Sequence, residues 1–341
     1  MASDDSSQRA FIWQLARDAN QLATVAPRLQ RGLGNVVAGV VDQLSTSPLD
    51  FIYQLLQNAD DKEYEAGVIP EMGFSIKPMR GGYVHAWDNG QAMSNEQVEA
   101  LVTFRSTKRD DVGTIGEKGV GWHSVFRVSH APHVYSGGFS FKLGHADTQM
   151  GGSLESMLTP TWVEKHELPF QPRPGTNFFL PLRDLSDATL DELACLRERF
   201  SPMTLLFLRK IRRVRIEPQQ FAVELDQNVW IVRVRTSSHK VEKVVQQAIV
   251  VRTPVPKDLP FPTDVRARDP QIIFAFPLLR SGPQHLFAWL PVMPSGLKFL
   301  LHGDFVTTLS REHLLDDSWN SWLWQQIPGA LVRAVEHLVS S

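Results

Sequence analysis

Apolar and polar positions repeat at helical spacing over the first part of the chain. The segments FIWQLARDANQLA and LGNVVAGVVDQL carry this spacing, which predicts helices within residues 9–66. Ser47 and Pro48 are expected to open the last of these helices, as N-cap and first-turn residues. That helix should end near Gly67, before the first strand.

Alternating patterns begin after this helical region. The runs MGFSIKPM and GYVHAWD are predicted to be strands, and the Arg-Gly-Gly between them favours a hairpin turn. In SNEQVEALVTF, Ser94 is the predicted N-cap of a helix and Gln97 its capping-box partner. A glycine-rich segment at 113–121 then leads into WHSVFRVSHA, which is predicted to be a helix.

Most of the remaining chain has the short alternating runs of a strand-rich structure. The predicted strands are HVYSG, FSFKL, 176–182, those within 211–251, 272–277 and 286–290; SDATLDELACLRERF and 319–338 are predicted helices, and the proline-rich stretch 253–264 a connector.

The order of these elements predicts the fold class. Helices come first, a mixed sheet follows and more sheet comes after it, which favours α+β over a doubly wound parallel fold. A chain of 341 residues is long enough for two domains. We expect a helical extension at 1–30, a first domain at 31–200 and a second, strand-rich α/β domain at 201–341.

Composition narrows the function classes. Apolar residues make up 43% and charged residues 21%, which is usual for a soluble globular protein. A net charge of −2 gives no case for nucleic-acid or membrane-surface binding, and no apolar run approaches the length of a membrane span. With one cysteine, Cys195, and no signal-peptide pattern, an intracellular, reducing compartment is expected.

The first candidate for chemistry lies on the helix before Gly67. Gln54, Asn58 and Asp61 are spaced i, i+4 and i+7, so they are predicted to share one face. A carboxamide oxygen is a suitable ligand for Mg²⁺, which takes few protein ligands beside phosphate and water oxygens. The alternative is that Gln54 and Asp61 form an ordinary solvated face.

The second candidate is WDNGQAM at 87–93. Asp88 is predicted to end a strand, and Gly90 permits a tight turn after it. A carboxylate in that place can accept a hydrogen bond from an exocyclic amine such as that of adenine. Taken alone, the motif also fits an ordinary Asp-Asn-Gly turn.

The third candidate is GTIGEKGVGWHS at 113–124. Its glycines let the backbone approach a ligand, and the N-terminus of a following helix would favour an anion. Lys118 adds a positive charge. The segment is neither a Walker A loop nor a Rossmann fingerprint, because Gly-Lys-Ser/Thr is absent and the glycine spacing differs. The alternative is a surface loop.

The order of these stretches is more specific than any one of them. An asparagine on a helix, Asp-x-Gly after a strand, a glycine-rich segment opening a helix and Gly175-Thr176 before a strand resemble the Bergerat fold of GHKL ATPases such as gyrase. The runs LLQNADDKEYEAG, FRSTKRDDVGTIGEKGVGWHSVFRVSHAPHVYSGGFSF and HGDFVTTLSREHLLDDSWNSWL resemble the sacsin and NO VEIN branch of chaperone-type GHKL proteins. This resemblance extends over roughly residues 30–340.

The resemblance implies a Bergerat-fold α/β sandwich that binds ATP with Mg²⁺. Asn58 is then the Mg²⁺ ligand, and Asp88 binds the adenine amine with help from Thr176. The glycine-rich segment would cover the phosphates as a lid. The other nucleotide-binding positions that the resemblance implies are Asp61, Gly90, Met93, Ser106, Thr107, Lys108, Gly116, Lys118, Gly119, Val120 and Gly121.

Two positions depart from the family pattern. Gln54 stands where the catalytic glutamate is expected, and glutamine is no base, although it can hold a water by hydrogen bonds. Losing a general base typically costs about 10²–10⁴ in rate, so hydrolysis is expected to be slow or absent. Asp50 and Asp61 are candidates for a substitute base. Ala92 replaces a second glycine after Asp-x-Gly.

Arg311, in SREHLL, is a candidate for a contact with the γ-phosphate. In two-domain GHKL proteins the second domain supplies such a residue, and an arginine fork matches phosphate geometry. The alternative is a structural ion pair with Asp304, Asp316 or Asp317.

Three hypotheses follow for function. The first is an ATP- and ADP-binding, chaperone-like module that acts as a conformational switch, with a client or partner protein and a homodimer as open questions. The second is a scaffold that keeps the fold, binds no nucleotide and acts through protein contacts. The third is phosphoryl transfer to another acceptor, ranked last because no acceptor histidine box is visible.

Overall fold

The computed structural model describes eight stretches of the chain, with gaps between them. These are residues 6–25, 50–103, 121–144, 159–236, 242–255, 270–279, 282–308 and 313–340. Within them the chain forms two compact units. The first contains the described residues up to Arg199 together with Arg215–Glu217, and the second contains Phe200–Val214 and the described residues from Pro218 onward.

The first unit combines helices with an antiparallel sheet. Its elements are α1 (Ser6–Val25), α2 (Asp50–Asp60), β1 (Glu71–Lys77), β2 (Tyr83–Asp88), α3 (Asn95–Thr103), a 3₁₀ helix (Gly121–Arg127), β3 (His133–Ser136), β4 (Phe139–Lys142), β5 (Thr161–Trp162), a 3₁₀ turn (Lys165–Glu167), β6 (Thr176–Pro181), α4 (Asp187–Ala194) and α5 (Leu196–Arg199). The strand order β1-β2-β6-β3-β4-β5 is antiparallel at every step.

The core of the first unit is built on α2 and the sheet. Ile52, Leu55 and Leu56 are almost completely buried on α2, as the helical spacing of apolar residues requires. This helix packs against the 3₁₀ helix Gly121–Arg127. Trp122 of that helix lies against Phe178 of β6, with ring centroids 4.8 Å apart. The helix α1 packs against β4, β5 and α3.

The second unit is richer in strands. Its elements are a 3₁₀ helix (Pro202–Leu206), β7 (Arg213–Ile216, divided between the units), β8 (Gln219–Asp226), β9 (Val229–Thr236), β10 (Glu242–Pro254), β11 (Gln271–Pro277), β12 (His285–Ala288), β13 (Leu290–Pro294), β14 (Leu300–Gly303) and α6 (Ser318–Ser340). The strand order is β13-β12-β14-β11-β10-β9-β8, with β12 and β14 parallel.

The α+β class predicted from the sequence is confirmed, but several boundaries are wrong. The helix expected to continue to Gly67 ends at Asp60. Its last turn tightens, because the Lys62 amide donates to the Ala59 carbonyl at 3.1 Å. The Tyr64 hydroxyl donates to the same carbonyl at 2.7 Å. The Ala59 carbonyl thus accepts two hydrogen bonds from residues beyond the helix, and the chain leaves the helix early.

Two further expectations need correction. WHSVFRVSHA does not form an α-helix: the element there is the 3₁₀ helix Gly121–Arg127, and Ser129 beyond it bridges to Leu182. The strands β13 and β14 were not predicted. Strand β13 contains two prolines, which weaken a strand pattern, and it lies at the end of the strand order, where proline is tolerated.

Candidate functional site

Three polar residues meet where three adjacent strands of the first unit begin or end. Asp88 is the last residue of β2, Thr176 the first of β6 and Ser136 the last of β3. The antiparallel registers pair Asp88 with Thr176 and Thr176 with Ser136. Paired residues on neighbouring strands lie about 5 Å apart, so the side chains form one row across three strands.

The row is linked by hydrogen bonds. The hydroxyls of Ser136 and Thr176 are 2.7 Å apart, and both residues are fully buried. The backbone amide of Met93 donates to the Ser136 hydroxyl at 2.9 Å. Met93 is thereby fixed beside Asp88 and Thr176, which the sequence had grouped with it as nucleotide-binding positions.

Gly175 allows the start of β6 to approach the end of β2 closely. Its φ of +94° is a backbone conformation that side chains with a Cβ rarely adopt. A Cβ there would overlap the Asp88 carbonyl oxygen and come within 2.9 Å of the Asn89 Cα. The glycine before Thr176 therefore lets the start of β6 lie directly on the end of β2.

The turn after β2 is fixed by its own side chains. The Gly90 amide donates to Asp88 Oδ1 at 3.0 Å. Asn89 accepts from the Glu71 amide at 2.7 Å and donates to the Ile69 carbonyl at 2.9 Å. The Asp-Asn-Gly stretch thus serves both as an ordinary turn and as the support that orients the Asp88 carboxylate.

Lys62 closes this polar group, and sequence reasoning missed it. Its ammonium donates to Asp88 Oδ1 at 3.0 Å, to Asp88 Oδ2 at 2.8 Å and to the Thr176 hydroxyl at 2.6 Å. The side chains of Lys62 and Asp88 are 10% and 2% exposed. The Lys62 stem lies over Gly90, where an added Cβ would meet its Cδ at 3.0 Å. The ion pair is therefore almost completely shielded from water.

Tyr64 is a second residue that the sequence did not single out. Burial and the nearby carboxylates of Asp88 and Asp60 raise the pKa of its hydroxyl far above the usual range. The hydroxyl therefore remains protonated and donates to the Ala59 carbonyl. Asp60 is itself fully buried, so two carboxylates and one ammonium lie in this part of the unit.

The predicted Mg²⁺ and water positions lie on or beside α2. Gln54 and Asn58 are half-buried on that helix, and Asp61 is half-buried just beyond its end. The amide of Asp61 still donates to the Gln57 carbonyl at 3.2 Å, so the helical turn extends far enough to include it. The helix packs against the 3₁₀ helix that begins at Gly121.

The phosphate part of the prediction is mostly outside the described residues. This applies to Ser106, Thr107, Lys108, Gly116, Lys118, Gly119 and Val120, and also to Arg311. Gly121 is described, and here the expectation that an α-helix begins is wrong. The element that it opens is a seven-residue 3₁₀ helix, which offers a shorter run of aligned peptides than an α-helix.

The described part of the chain holds neither a cluster of metal-ligating side chains nor a helix able to span a membrane. There, no group of three or more histidine, cysteine, aspartate or glutamate side chains could hold a metal ion. A single amide ligand completed by phosphate and water oxygens remains compatible with Mg²⁺ at Asn58. None of the described helices has both the length and the apolar character needed to cross a membrane.

Comparison with solved structures and with curated proteins found similarities to this chain. The crystal structure of the B-subunit of the DNA gyrase from Myxococcus xanthus aligns with 81% of this chain and 87% of that chain, at 10% identity and a TM-score of 0.40. No family model matches the chain.

The sequence is similar to one stretch of a longer plant protein. Protein NO VEIN of Arabidopsis thaliana is 30% identical to it over 331 residues, which cover 90% of this chain. The chain spans 12% of the length of that relative. The predicted resemblance to the NO VEIN branch is therefore confirmed at the level of sequence similarity, over nearly the whole chain.

Proposed function

We propose that the first unit is an adenine-nucleotide-binding module of the GHKL type, with the Bergerat fold. The observation that carries this proposal is the row of Asp88, Thr176 and Ser136 across β2, β6 and β3, supported by Gly90 and Gly175. Asp88 was predicted from the sequence as the adenine contact and Thr176 as its helper. The Asp88 carboxylate and the Thr176 hydroxyl lie at one end of adjacent strands, as that role requires.

The chemistry of the row suits a purine amine. A carboxylate with a side-chain exposure of 2% accepts from an N–H donor without competition from much water. The Thr176 hydroxyl can accept or donate, so it complements a ring nitrogen beside the amine. The Met93 backbone is held by the bond from its amide to Ser136, and its side chain would pack on the base.

The phosphate end of the proposal rests on α2 and on the sequence resemblance. Asn58 would supply one oxygen to Mg²⁺, which in turn would neutralise phosphate charge when bound. The helix α2 carries both Asn58 and Gln54 and packs against the element that begins at Gly121. Gly121, the last glycine of the segment 113–121, begins the element that packs against the helix carrying the proposed metal ligand.

Turnover should be slow in this proposal. Gln54 is half-buried on α2, one helical turn before Asn58, where a base is expected by resemblance. A glutamine can orient a water but cannot take its proton, and a missing general base typically costs about 10²–10⁴ in rate. Bound ATP would then persist, and the unit would act as a nucleotide-dependent switch of a chaperone-like protein.

A second candidate function is a scaffold that binds no nucleotide. One observation favours it: the Asp88 carboxylate already has a buried partner in Lys62. Such a scaffold would act through a client or partner protein, or through a second copy of the chain. An intracellular location is proposed for either function.

Calorimetric titration of the purified protein with ATP in the presence of Mg²⁺ tests the first proposal. Saturable binding is expected, with competition by ADP. Asp88→Asn should weaken ATP binding by more than about tenfold, because a hydrogen bond to a charged group contributes about 1.5–3 kcal/mol. Asp226→Asn is the matched control, because Asp226 is exposed at the end of β8.

The two candidates give different results in this titration. Absence of heat, together with no ATP-dependent rise in melting temperature, would eliminate nucleotide binding and favour the scaffold. Equal ATP binding by Asp88→Asn and by the unmodified protein would contradict the assigned role of Asp88. The unliganded melting temperature of each variant shows whether it has folded.

A further inference from the structure

Lys62 lies where a ligand of Asp88 would have to bind. Its ammonium is within 3.0 Å of both carboxylate oxygens of Asp88 and 2.6 Å from the Thr176 hydroxyl. An adenine amine would approach the same two residues with the same kind of N–H donor. The lysine and the base therefore compete for one set of acceptors.

The surroundings make this competition costly for a ligand. The side chains of both partners are nearly excluded from water, at 10% and 2% exposure. A hydrogen bond between charged groups contributes more than a neutral one, and separating a buried pair leaves each charge uncompensated. The lysine stem also lies over Gly90, so the ammonium and the stem together cover the strand end.

The lysine is nevertheless placed so that it can leave. Lys62 lies in the turn after α2, not within the helix, and its side chain is an unbranched four-carbon chain with many rotamers. Moving the ammonium away requires rotation of a side chain and no rearrangement of the sheet. Asp61, half-buried beside it, and the phosphates of a bound nucleotide are alternative partners of the right charge.

We propose that Lys62 is a gate on the adenine position: its ammonium occupies the place of the base amine at Asp88 and must swing away before a nucleotide binds. This inference rests on the proposed function and adds the regulation of that site. The observed affinity is the intrinsic affinity reduced by the fraction of molecules in which the lysine has left. A gate that is open in about one molecule in ten weakens binding about tenfold.

The test compares Lys62→Met and Lys62→Gln with the unmodified protein in calorimetric titrations with ATP, ADP, adenosine and GTP. Methionine keeps an unbranched stem without the charge, and glutamine keeps an uncharged N–H donor. Lys62→Met should bind all three adenine ligands about tenfold to hundredfold more tightly, and Lys62→Gln should be intermediate. Lys77→Met is the matched control, because Lys77 is exposed at the end of β1, and should bind as the unmodified protein does.

The outcomes separate the gate from the function that it would control. If Lys62→Met binds adenine ligands and the unmodified protein does not, the gate and the nucleotide function are both supported, and the gate is almost closed in the unmodified protein. Equal or weaker ATP binding by Lys62→Met, while the unmodified protein binds, overturns the gate and leaves the nucleotide module standing. Absence of binding by every variant overturns the nucleotide function itself.

Two controls complete the test. If Lys62 stays in place and donates to a carbonyl on the base, the unmodified protein binds GTP more tightly than ATP and Lys62→Met loses that preference, which overturns the gate. Removing the ammonium leaves Asp88 buried without its charge partner, so the unliganded melting temperature of Lys62→Met should fall. Adenosine should then raise the melting temperature of Lys62→Met more than that of the unmodified protein.

Discussion

Gly175→Ala tests whether the close approach of β6 to β2 builds the candidate site. The φ of Gly175 is +94°, and a left-handed conformation costs a residue with a Cβ roughly 1–2 kcal/mol. The added methyl group would overlap the Asp88 carbonyl oxygen and lie 2.9 Å from the Asn89 Cα. These are backbone atoms, which cannot rotate away, so the paired strand ends must separate.

The magnitude follows from comparing two glycines. Gly67 also has a positive φ, +82°, but a Cβ there would meet nothing within 4 Å. Gly67→Ala should therefore lose only the conformational part, about 1–2 kcal/mol. Gly175→Ala adds the steric overlap, for a total of about 3–4 kcal/mol, at the upper end of single substitutions. Both glycines belong to the first unit, so the same unfolding transition reports both.

Urea denaturation followed by far-UV circular dichroism measures the two losses, and calorimetry measures the melting temperatures. For a unit of this size, about 1 kcal/mol lowers the melting temperature by roughly 2–4 °C. Gly175→Ala should thus melt several degrees below Gly67→Ala. Because Gly175→Ala moves the Asp88 backbone, the ATP affinity of this variant should also fall, whereas Gly67→Ala should bind ATP as the unmodified protein does. Equal destabilisation by the two substitutions would refute the steric reasoning.

Three further predictions concern turnover and the second unit. If the first unit binds ATP, Gln54→Glu should raise phosphate release by about 10²-fold or more, because it restores a base; a rate unchanged from the unmodified protein would reject the assigned position. Burial lowers the pKa of His302 from the ordinary value of about 6.5 to about 4. Between these two pH values the unfolded chain binds more protons than the folded chain. The stability of the folded state is therefore lost as the pH falls from about 6.5 to 4. His302→Gln should flatten this loss of about 3 kcal/mol in pH-dependent denaturation, and His313→Gln, at an exposed position, should not. Asn320→Leu should destabilise the second unit by about 2–4 kcal/mol in urea denaturation, because the buried Asn320 amide forms hydrogen bonds with Val306 and Leu315. The control Ser321→Ala should be nearly neutral. A loss below about 1 kcal/mol for Asn320→Leu would contradict the role of the amide.

Local signals explain what the sequence predicted correctly. The hairpin of β1 and β2 was predicted from two apolar runs and a short glycine turn, and Gly81 has the positive φ that such a turn requires. The capping box of α3 is present as predicted. The Gln97 amide donates to the Ser94 hydroxyl at 3.3 Å, and the Ser94 amide donates to the Gln97 side chain at 3.0 Å. These features depend on residues that lie close together in the chain, which a sequence displays directly.

The parts of the site that were missed depend on distant residues. Ser136 joins Thr176 only through the register of β3 with β6, forty positions apart. Lys62 meets Asp88 and Thr176 because the turn after α2 lies on the end of β2. One weak signal existed for Lys62: it follows two acids in NADDK, four positions after Asn58. Spacing of this kind would place Lys62 on a helix face, but the helix ends at Asp60, before Lys62.

The C-terminal run that carried much of the resemblance has a structural explanation in the described residues. The indole of Trp319 donates to the Asp304 carbonyl at 2.8 Å, and the Asn320 amide joins Val306 and Leu315 at 2.7 Å. The Asp-Phe and Trp-Asn pairs of that run thus tie α6 to the segment before it. These bonds give the residues a role in the stability of the second unit.

On the proposed function, Lys62 and Gln54 divide control of the nucleotide between them. A gate at Asp88 lowers occupancy by raising the cost of entry, whereas a missing base on α2 lengthens the life of ATP once bound. With hydrolysis slowed by about 10²–10⁴, bound ATP would have more time to dissociate before it is hydrolysed. The state of the unit would then follow the concentrations of ATP and ADP instead of a hydrolytic cycle. A double variant, Lys62→Met with Gln54→Glu, should therefore both bind more tightly and turn over, with the two effects additive in free energy. Coupling between them above about 0.5 kcal/mol would show that the gate and the water position act as one device.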